Sequence, residues 1–243
     1  MKLSKSAVNT FKKCPRAFKY QFIDKIENEP NKYMLFGTLI HKVAEDIAKE
    51  IQSLGVINEV IIRDLCNKYY PKDTIFDSEV IDLHMSNLYD FFIKTFIVYG
   101  YKIFSIEEYI IDTDINLSGL ADLVLEDTDG NLVVVDYKTG KSGSIKKYRV
   151  ELCYYKRLIE FKYPNKTVVT AGIFFTKDSG YRFVNFTECQ KKGAYITKKD
   201  YNSTFQLLTL IRSQVEEGNL YPKRQYTCQY CSYKDLCKKD GGF

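Results

Sequence analysis

Hydrophobic positions in the first hundred residues recur with the period of α-helices. Apolar residues three or four positions apart predict amphipathic helices whose apolar stripe faces a core. Ser4 is a suitable N-cap for the first helix, and Pro15 suits the first turn of the second. Helices are predicted at about 4–13, from Pro15 onward, from Phe36 through GTLIHKVAEDIAKEIQSL, at roughly 58–70 and at roughly 76–99.

The period changes at Ile103, from where the apolar pattern predicts strands. Strands are predicted at 103–112, 116–126, 131–138, 167–176 and 181–187, with helices at about 145–161 and 198–217. A helix between strands gives an α/β centre, which the N- and C-terminal helices would wrap. We expect one domain over 1–243, made of a mostly helical part (1–100), a core (101–190) and a C-terminal helix with a cysteine cluster (191–243).

The sequence EDTDGNL, 126–132, lies between two predicted strands and fits a β-hairpin turn. A three-residue loop, Thr128-Asp129-Gly130, would place Gly130 in the left-handed conformation that glycine adopts readily. Counting back along both strands from this loop sets Asp122 opposite Asp136. A two-residue loop would shift that register by one position.

The stretch LVVVDYKTG, 132–140, is typical of a buried strand, but it ends in an acid and a lysine. Successive side chains of a strand point to opposite faces, so Asp136 and Lys138 share one face. Asp122 would join them there, and two facing carboxylates repel each other more strongly when they are buried. A divalent cation between them makes the arrangement favourable, which predicts a Mg²⁺ or Mn²⁺ site. The alternative is a buried ion pair beside a spare acid, which is costly.

The composition is that of an ordinary globular protein, with 243 residues of which 45% are hydrophobic and 28% charged. No apolar run approaches the length of a membrane span, and the start, MKLSKSAVNTFKKC, lacks the apolar centre of a signal peptide. We therefore expect a cytoplasmic protein, in which clustered cysteines are better interpreted as metal ligands than as disulfides. The formal net charge of +5 indicates only that an anionic partner would not be repelled.

The ordered motifs resemble a known family. GLAD (119–122), then DYK (136–138), then a helix are similar to the PD-(D/E)XK nuclease superfamily, in particular its RecB-like branch. GTLIH, which ends at His41, resembles the upstream helix that carries a metal-binding histidine in that branch. ELCYY (151–155) lies where the branch has a Q-x-x-x-Y motif, with glutamate in place of the usual glutamine.

The resemblance implies a restriction-endonuclease-like fold, a central mixed sheet flanked by helices. It also implies roles for individual residues. Lys138 would position the attacking water or help to deprotonate it, and Glu151 would bind metal, orient water or contact DNA. The implied ligands of Mg²⁺ or Mn²⁺ are His41, Asp122, Asp136 and the carbonyl of Tyr137, and the implied DNA contacts are Tyr155 and Arg16.

Some of these residues also have plain structural explanations. A lone helical histidine such as His41 is more often a partly buried structural residue, and His84 matches no motif and is interpreted as structural. Glu151 could pair with Lys147 one helical turn earlier.

The cysteines carry a second resemblance, to the iron-sulfur subgroup of RecB-like nucleases, which includes the AddB nuclease domain and the CRISPR-associated exonucleases. One cysteine near the N-terminus and three near the C-terminus would hold a 4Fe-4S cluster that joins the ends of the chain. Zinc is the alternative, because four thiolates suit either metal centre. The predicted ligands are Cys14, Cys228, Cys231 and Cys237, while Cys66, Cys153 and Cys189 are predicted to be small buried hydrophobic residues.

These predictions together describe a metal-dependent DNA exonuclease acting on single-stranded DNA or DNA ends, with a helicase or integrase as a possible partner and no membrane association. The pathway stays open among recombination, repair, phage replication and CRISPR adaptation. The alternative is a non-catalytic DNA-binding iron-sulfur subunit of a helicase or integrase complex. Degenerate proteins of that kind typically lose the acid or the lysine, and both Asp136 and Lys138 are present.

Overall fold

The computed structural model describes residues 1–28, 31–55, 59–68, 76–186 and 194–242. The chain forms two compact units that do not follow its linear order. One unit contains Met1–Glu29, Ile111–Gly119 and Lys198–Phe243, and the other contains Pro30–Ile110 and Leu120–Thr197. Both ends of the chain therefore belong to the same unit, whereas a single domain over 1–243 stays a prediction.

Helices make up most of the N- and C-terminal parts of the described chain. They are α1 (Lys5–Lys13), α2 (Pro15–Phe18), α3 (Lys32–Leu54), α4 (Glu59–Lys68), α5 (Ser78–Ile93), α6 (Arg149–Lys162), α7 (Lys198–Glu216) and α8 (Lys234–Lys239). Short π-helical turns follow α2 and α5 at Lys19–Ile23 and Lys94–Val98, and 3₁₀ turns occupy Ile145–Tyr148 and Tyr226–Tyr230. None of the described helices is long and apolar enough to cross a membrane.

The helix boundaries follow local capping chemistry. The Ser4 side chain accepts a hydrogen bond from the Ala7 amide, as predicted, and Pro15 stands at the first turn of α2. The helix predicted from Phe36 begins earlier, at Lys32, because the Asn31 side chain caps it by accepting from the amides of two following residues. It ends at Gly55, whose φ of 66° is the left-handed conformation of a helix C-cap.

The strands form a mixed sheet. They are β1 (Leu3–Ser4), β2 (Lys102–Asp112), β3 (Leu117–Glu126), β4 (Leu132–Lys138), β5 (Val168–Phe175), β6 (Gly180–Asn185) and β7 (Ala194–Tyr195). From β3 to β7 the order follows the chain, and β2 also pairs with β3. β3 and β4 are antiparallel, whereas β4 and β5 are parallel because α6 connects them. The predicted α/β centre with a mixed sheet is therefore confirmed.

Alternate residues of β4 face different surroundings. Val133, Val135 and Tyr137 belong to a hydrophobic core cluster of the second unit, together with apolar residues of α3 and α5. Asp136 and Lys138 point to the opposite face, as the period of a strand requires. α6 packs against β4 and β5, and its residues Glu151 and Tyr155 contact those two side chains.

Candidate active site

The hairpin between β3 and β4 has the predicted register. Leu123 pairs with Val135, so the next position along both strands sets Asp122 opposite Asp136. Gly130 has φ of 81°, the left-handed conformation expected of it. Both carboxylates are buried, with Asp122 6% and Asp136 1% exposed. The turn chemistry thus places two acids side by side inside the protein.

His41, on α3, lies against the same strand ends. Its Nδ1 is 3.3 Å from Oδ2 of Asp122, and its Nε2 is 3.0 Å from the carbonyl oxygen of Tyr137. The Tyr137 amide donates to the same Asp122 oxygen at 2.9 Å. Three of the four predicted metal-ligand groups are therefore adjacent.

Glu107 of β2, which is not among the predicted ligands, completes this group. His41, Glu107 and Asp122 each offer a ligand atom, and these atoms all lie within 4.8 Å of one another. Glu107 has φ of 46°, an uncommon conformation for a residue with a side chain. The neighbouring Glu108 instead accepts a hydrogen bond from Tyr163 at 2.5 Å and pairs with Lys162. Two successive acids within β2 were the available signal, but they did not reveal which one turns toward His41.

Asp136 is not a member of that three-residue group, because its oxygens meet other partners. Lys138 Nζ forms an ion pair with Oδ2 of Asp136, and the Tyr155 hydroxyl donates to Oδ1. Lys138 Nζ also lies 3.3 Å from Oε1 of Glu151. Asp136 and Glu151 are buried, at 1% and 5% exposed, whereas the Lys138 side chain between them is 31% exposed.

The charge state of Lys138 follows from this cluster. Burial by itself lowers the pKa of the ammonium, but the carboxylates of Asp136 and Glu151 outweigh burial and hold the pKa well above its usual range. Lys138 is therefore a cation in these surroundings. Burial and the nearby Asp136 carboxylate also raise the pKa of Tyr155, so its phenol stays protonated and acts as a donor.

The residues expected to contact DNA have contacts within the protein. Tyr155 is 1% exposed and its hydroxyl lies on Asp136. Arg16, in the other unit, donates from Nε to the carbonyl of Leu220 at 3.1 Å, and its Nη1 lies 3.9 Å from Asp240. A DNA contact for either residue stays a prediction.

The four cysteines predicted to bind a cluster line one cavity of about 190 Å³. The Lys223 amide donates to Sγ of Cys14 at 3.5 Å, and the Gln225 amide donates to Sγ of Cys228 at 3.4 Å. Burial and then the nearby Cys14 raise the pKa of the Cys237 thiol. In the part of the chain that the structure describes, the four sulfurs do not lie within 4.8 Å of one another as a group.

The remaining cysteines are partly described. Cys153 is fully buried in α6, as expected of a small hydrophobic residue. Cys189 and the side chain of Cys66 lie outside the described residues.

Comparison with solved structures supports the fold. A crystal structure named "Putative exonuclease", from Eubacterium rectale, is similar to the chain with a TM-score of 0.51 and 11% sequence identity, covering 98% of this chain and 88% of that one. The crystal structure of SSO0001 covers 85% of this chain and 97% of its own, at 14% identity and a TM-score of 0.34. At 11% identity, the likeness to the Eubacterium rectale structure concerns the fold alone. A search among curated proteins gives no match.

The family model of the PD-(D/E)XK nuclease superfamily matches residues 2–238. That match covers nearly the whole sequence, including His41, both facing acids, Lys138 and all four cysteines of the cavity. The chain therefore belongs to the PD-(D/E)XK nuclease superfamily.

Proposed function

We propose that this protein is a divalent-metal-dependent deoxyribonuclease of the RecB-like branch, acting as an exonuclease on single-stranded DNA or DNA ends. The observation that carries the proposal is that two buried carboxylates, those of Asp122 and Asp136, lie beside Lys138 and His41. A merely structural ion pair needs one acid for one base, whereas this cluster collects more carboxylates than cations. An excess of buried carboxylates is costly unless a cation joins them.

The donor set fits a hard divalent cation. His41 offers an imidazole nitrogen, and Glu107 and Asp122 offer carboxylate oxygens, within 4.8 Å of one another. Oxygen-rich sets with one imidazole suit Mg²⁺ or Mn²⁺. Such a metal, when bound, polarises the scissile phosphate and stabilises the leaving oxygen.

The other residues have distinct tasks in this proposal. Lys138 is a cation held by Asp136 and Glu151, which suits stabilising negative charge on the phosphate in the transition state better than removing a proton from water. Tyr155 holds Asp136 in place through its hydroxyl. Glu151 orients the Lys138 ammonium, which gives a role to the glutamate that replaces the usual glutamine.

The cavity of the four cysteines supports a proposed iron-sulfur cluster as the second metal centre. Four thiolates suit either one zinc ion or a 4Fe-4S cluster, and the resemblance to the iron-sulfur subgroup favours the cluster. The amides that donate to Cys14 and Cys228 are also of the kind that stabilises cluster thiolates.

Cleavage of end-labelled DNA tests the proposed function. Anaerobically purified protein is expected to degrade single-stranded DNA or duplex ends with Mg²⁺ or Mn²⁺, and to stop when EDTA removes the metal. Release of mononucleotides or short oligonucleotides from ends, with a covalently closed circle left intact, is the exonuclease result. DNA binding without cleavage under all metal conditions would favour the non-catalytic subunit instead, for which a helicase or integrase partner would be sought by co-purification.

The ligand set predicts the effect of single substitutions on metal binding. His41→Ala and Glu107→Gln should each weaken Mn²⁺ binding at least about ten-fold, measured by electron paramagnetic resonance of free Mn²⁺. Glu108→Gln is the matched control, because its carboxylate contacts Tyr163 and Lys162 instead. An unchanged titration in His41→Ala would return that histidine to a structural role, and equal losses in both glutamate variants would refute the assignment of Glu107.

A further inference from the structure

The backbone of Lys138 is held by a buried polar group that no step of the proposed mechanism uses. Thr176 follows the end of β5, and its amide donates to the Lys138 carbonyl at 2.9 Å. The Thr176 hydroxyl lies 3.4 Å from the same carbonyl oxygen and 2.6 Å from Nδ1 of His84. His84 and Thr176 are 1% and 0% exposed, so water does not compete for these contacts.

Residues of two helices, α3 and α5, hold the His84 and Thr176 side chains in place. His84 lies on α5, and its ring meets the ring of Phe36 on α3 edge-on, with centroids 4.8 Å apart. Asn87, one turn after His84, donates to the Thr176 carbonyl at 2.8 Å and accepts a hydrogen bond from Ser179 at 2.6 Å. α5 therefore holds the turn after β5 at three points, and this turn holds the last residue of β4.

The contacts select one tautomer of His84. Among the described residues, the ring makes no hydrogen bond through Nε2. A proton on Nε2 would therefore have no acceptor among the described residues, which costs free energy in a residue that is 1% exposed. A proton on Nδ1 instead meets the Thr176 oxygen at 2.6 Å. The threonine hydroxyl, which has only one proton, is then free to point toward the Lys138 carbonyl, in a contact that is weak at 3.4 Å.

We propose that His84, as the Nδ1–H tautomer, and Thr176 form a chain of hydrogen bonds that fixes the backbone of Lys138. We call this chain of hydrogen bonds the positioning relay. The tautomer is inferred from the contacts of the His84 ring, whereas the consequence for Lys138 rests on the proposed nuclease function. Burial, and secondarily Lys177, lower the pKa of His84 to about 4, so the imidazole is neutral at pH 7. Both residues act through Lys138 as positioning residues and not by contact with the substrate.

Nitrogen NMR tests the tautomer directly, because the sequence has only two histidines. In protein labelled with ¹⁵N-histidine at pH 7, a protonated and an unprotonated ring nitrogen give well-separated signals. The His41→Ala variant identifies the His84 signals by removing the other set. His84 should show its proton on Nδ1, and a proton on Nε2 in the wild-type protein would overturn the relay whether or not the protein cleaves DNA.

Kinetics test the positioning role. Thr176→Val keeps the shape of the side chain but removes the hydroxyl, and kcat for DNA cleavage should fall about ten-fold with little change in KM. Thr176→Ser should restore both kcat and the Nδ1–H signal of His84. Thr95→Val, at another buried threonine of the same unit, controls for the general effect of this substitution and should leave kcat unchanged.

The two readouts separate the possible failures. Absence of any cleavage by the wild-type protein defeats the proposed nuclease function, while the NMR result still decides the tautomer. A wild-type kcat in Thr176→Val, or an equal loss in Thr95→Val, defeats the positioning role even if the tautomer is as expected. If Thr176→Val does not fold, the wild-type and Thr176→Ser spectra still decide whether the relay exists.

Discussion

Replacing Asp136 with asparagine should abolish metal-dependent DNA cleavage, with a loss of about a thousand-fold or more in kcat, while the protein stays folded. The substitution keeps the size of the side chain and its contact with the Tyr155 hydroxyl, but it removes the charge that pairs with Lys138.

Lys138→Met should be equally inactive, because it removes the cation itself. It should also melt at a lower temperature, because the Asp136 and Glu151 carboxylates stay buried without their cation.

Another ion pair, between β3 and the segment that precedes β5, provides the matched control. Glu126 of β3 pairs with Lys166, with both side chains about one-third exposed. Glu126→Gln and Lys166→Met make the same chemical changes away from the candidate site and should leave kcat near that of the wild type. Undiminished cleavage by folded Asp136→Asn protein would refute the assignment of the active site.

The regular elements of the fold follow from hydrophobic period. Five strands and the long helices were predicted to within a few residues, because each is long enough to show its period several times. β1 and β7 were missed, since two residues show no period. The π-helical turn at Lys94–Val98 was predicted as a simple continuation of α5, because the apolar pattern does not distinguish i→i+5 from i→i+4 hydrogen bonds.

The candidate site was predictable where local chemistry determines it. The turn at Gly130 fixed the register of Asp122 and Asp136, and the period of β4 placed Lys138 beside them. Glu107 could not be found this way, because its approach to His41 depends on a local backbone conformation in β2 that a strand pattern does not encode. Helical spacing correctly set Glu151 and Tyr155 on one face, but only the packing of α6 shows that this face turns inward to Asp136.

The ends of the chain are linked by contacts that do not need a metal. Gln225 donates from Nε2 to the Lys13 carbonyl at 3.0 Å, and the Tyr20 hydroxyl donates to Asp240 at 2.7 Å. Arg16 adds its bond to the Leu220 carbonyl. These contacts lie around the cysteine cavity, so ordinary packing places the four cysteines along one cavity. Loss of one cysteine should therefore loosen this unit rather than unfold it entirely.

Cys14→Ala and Cys231→Ala should each abolish binding of an iron-sulfur cluster and lower the melting temperature. Cys14 and the nearest C-terminal ligand, Cys228, are more than 200 residues apart, and closing a loop of about 100 residues stabilises a chain by about 4.7 kcal/mol in entropy models, with a slow increase beyond that length. A loss of about 4 kcal/mol corresponds to a decrease of about 10 °C in Tm for a protein of this size. The measurements are iron and sulfide content, visible absorbance and thermal melting of anaerobically purified protein.

Cys153→Ala and Cys66→Ala separate loss of a ligand from loss of stability. Cys153 is fully buried in α6, so its replacement removes packing and should lower Tm, yet the protein should keep its brown colour and its iron. Cys66→Ala should also keep them, because Cys66 is outside the four-cysteine set. Wild-type protein that is colourless and carries one zinc ion would exclude the iron-sulfur cluster but retain a four-thiolate site. Wild-type protein with neither iron nor zinc would show that the cysteine cavity holds no metal. The Cys14→Ala and Cys231→Ala variants would then melt at temperatures no lower than that of Cys153→Ala.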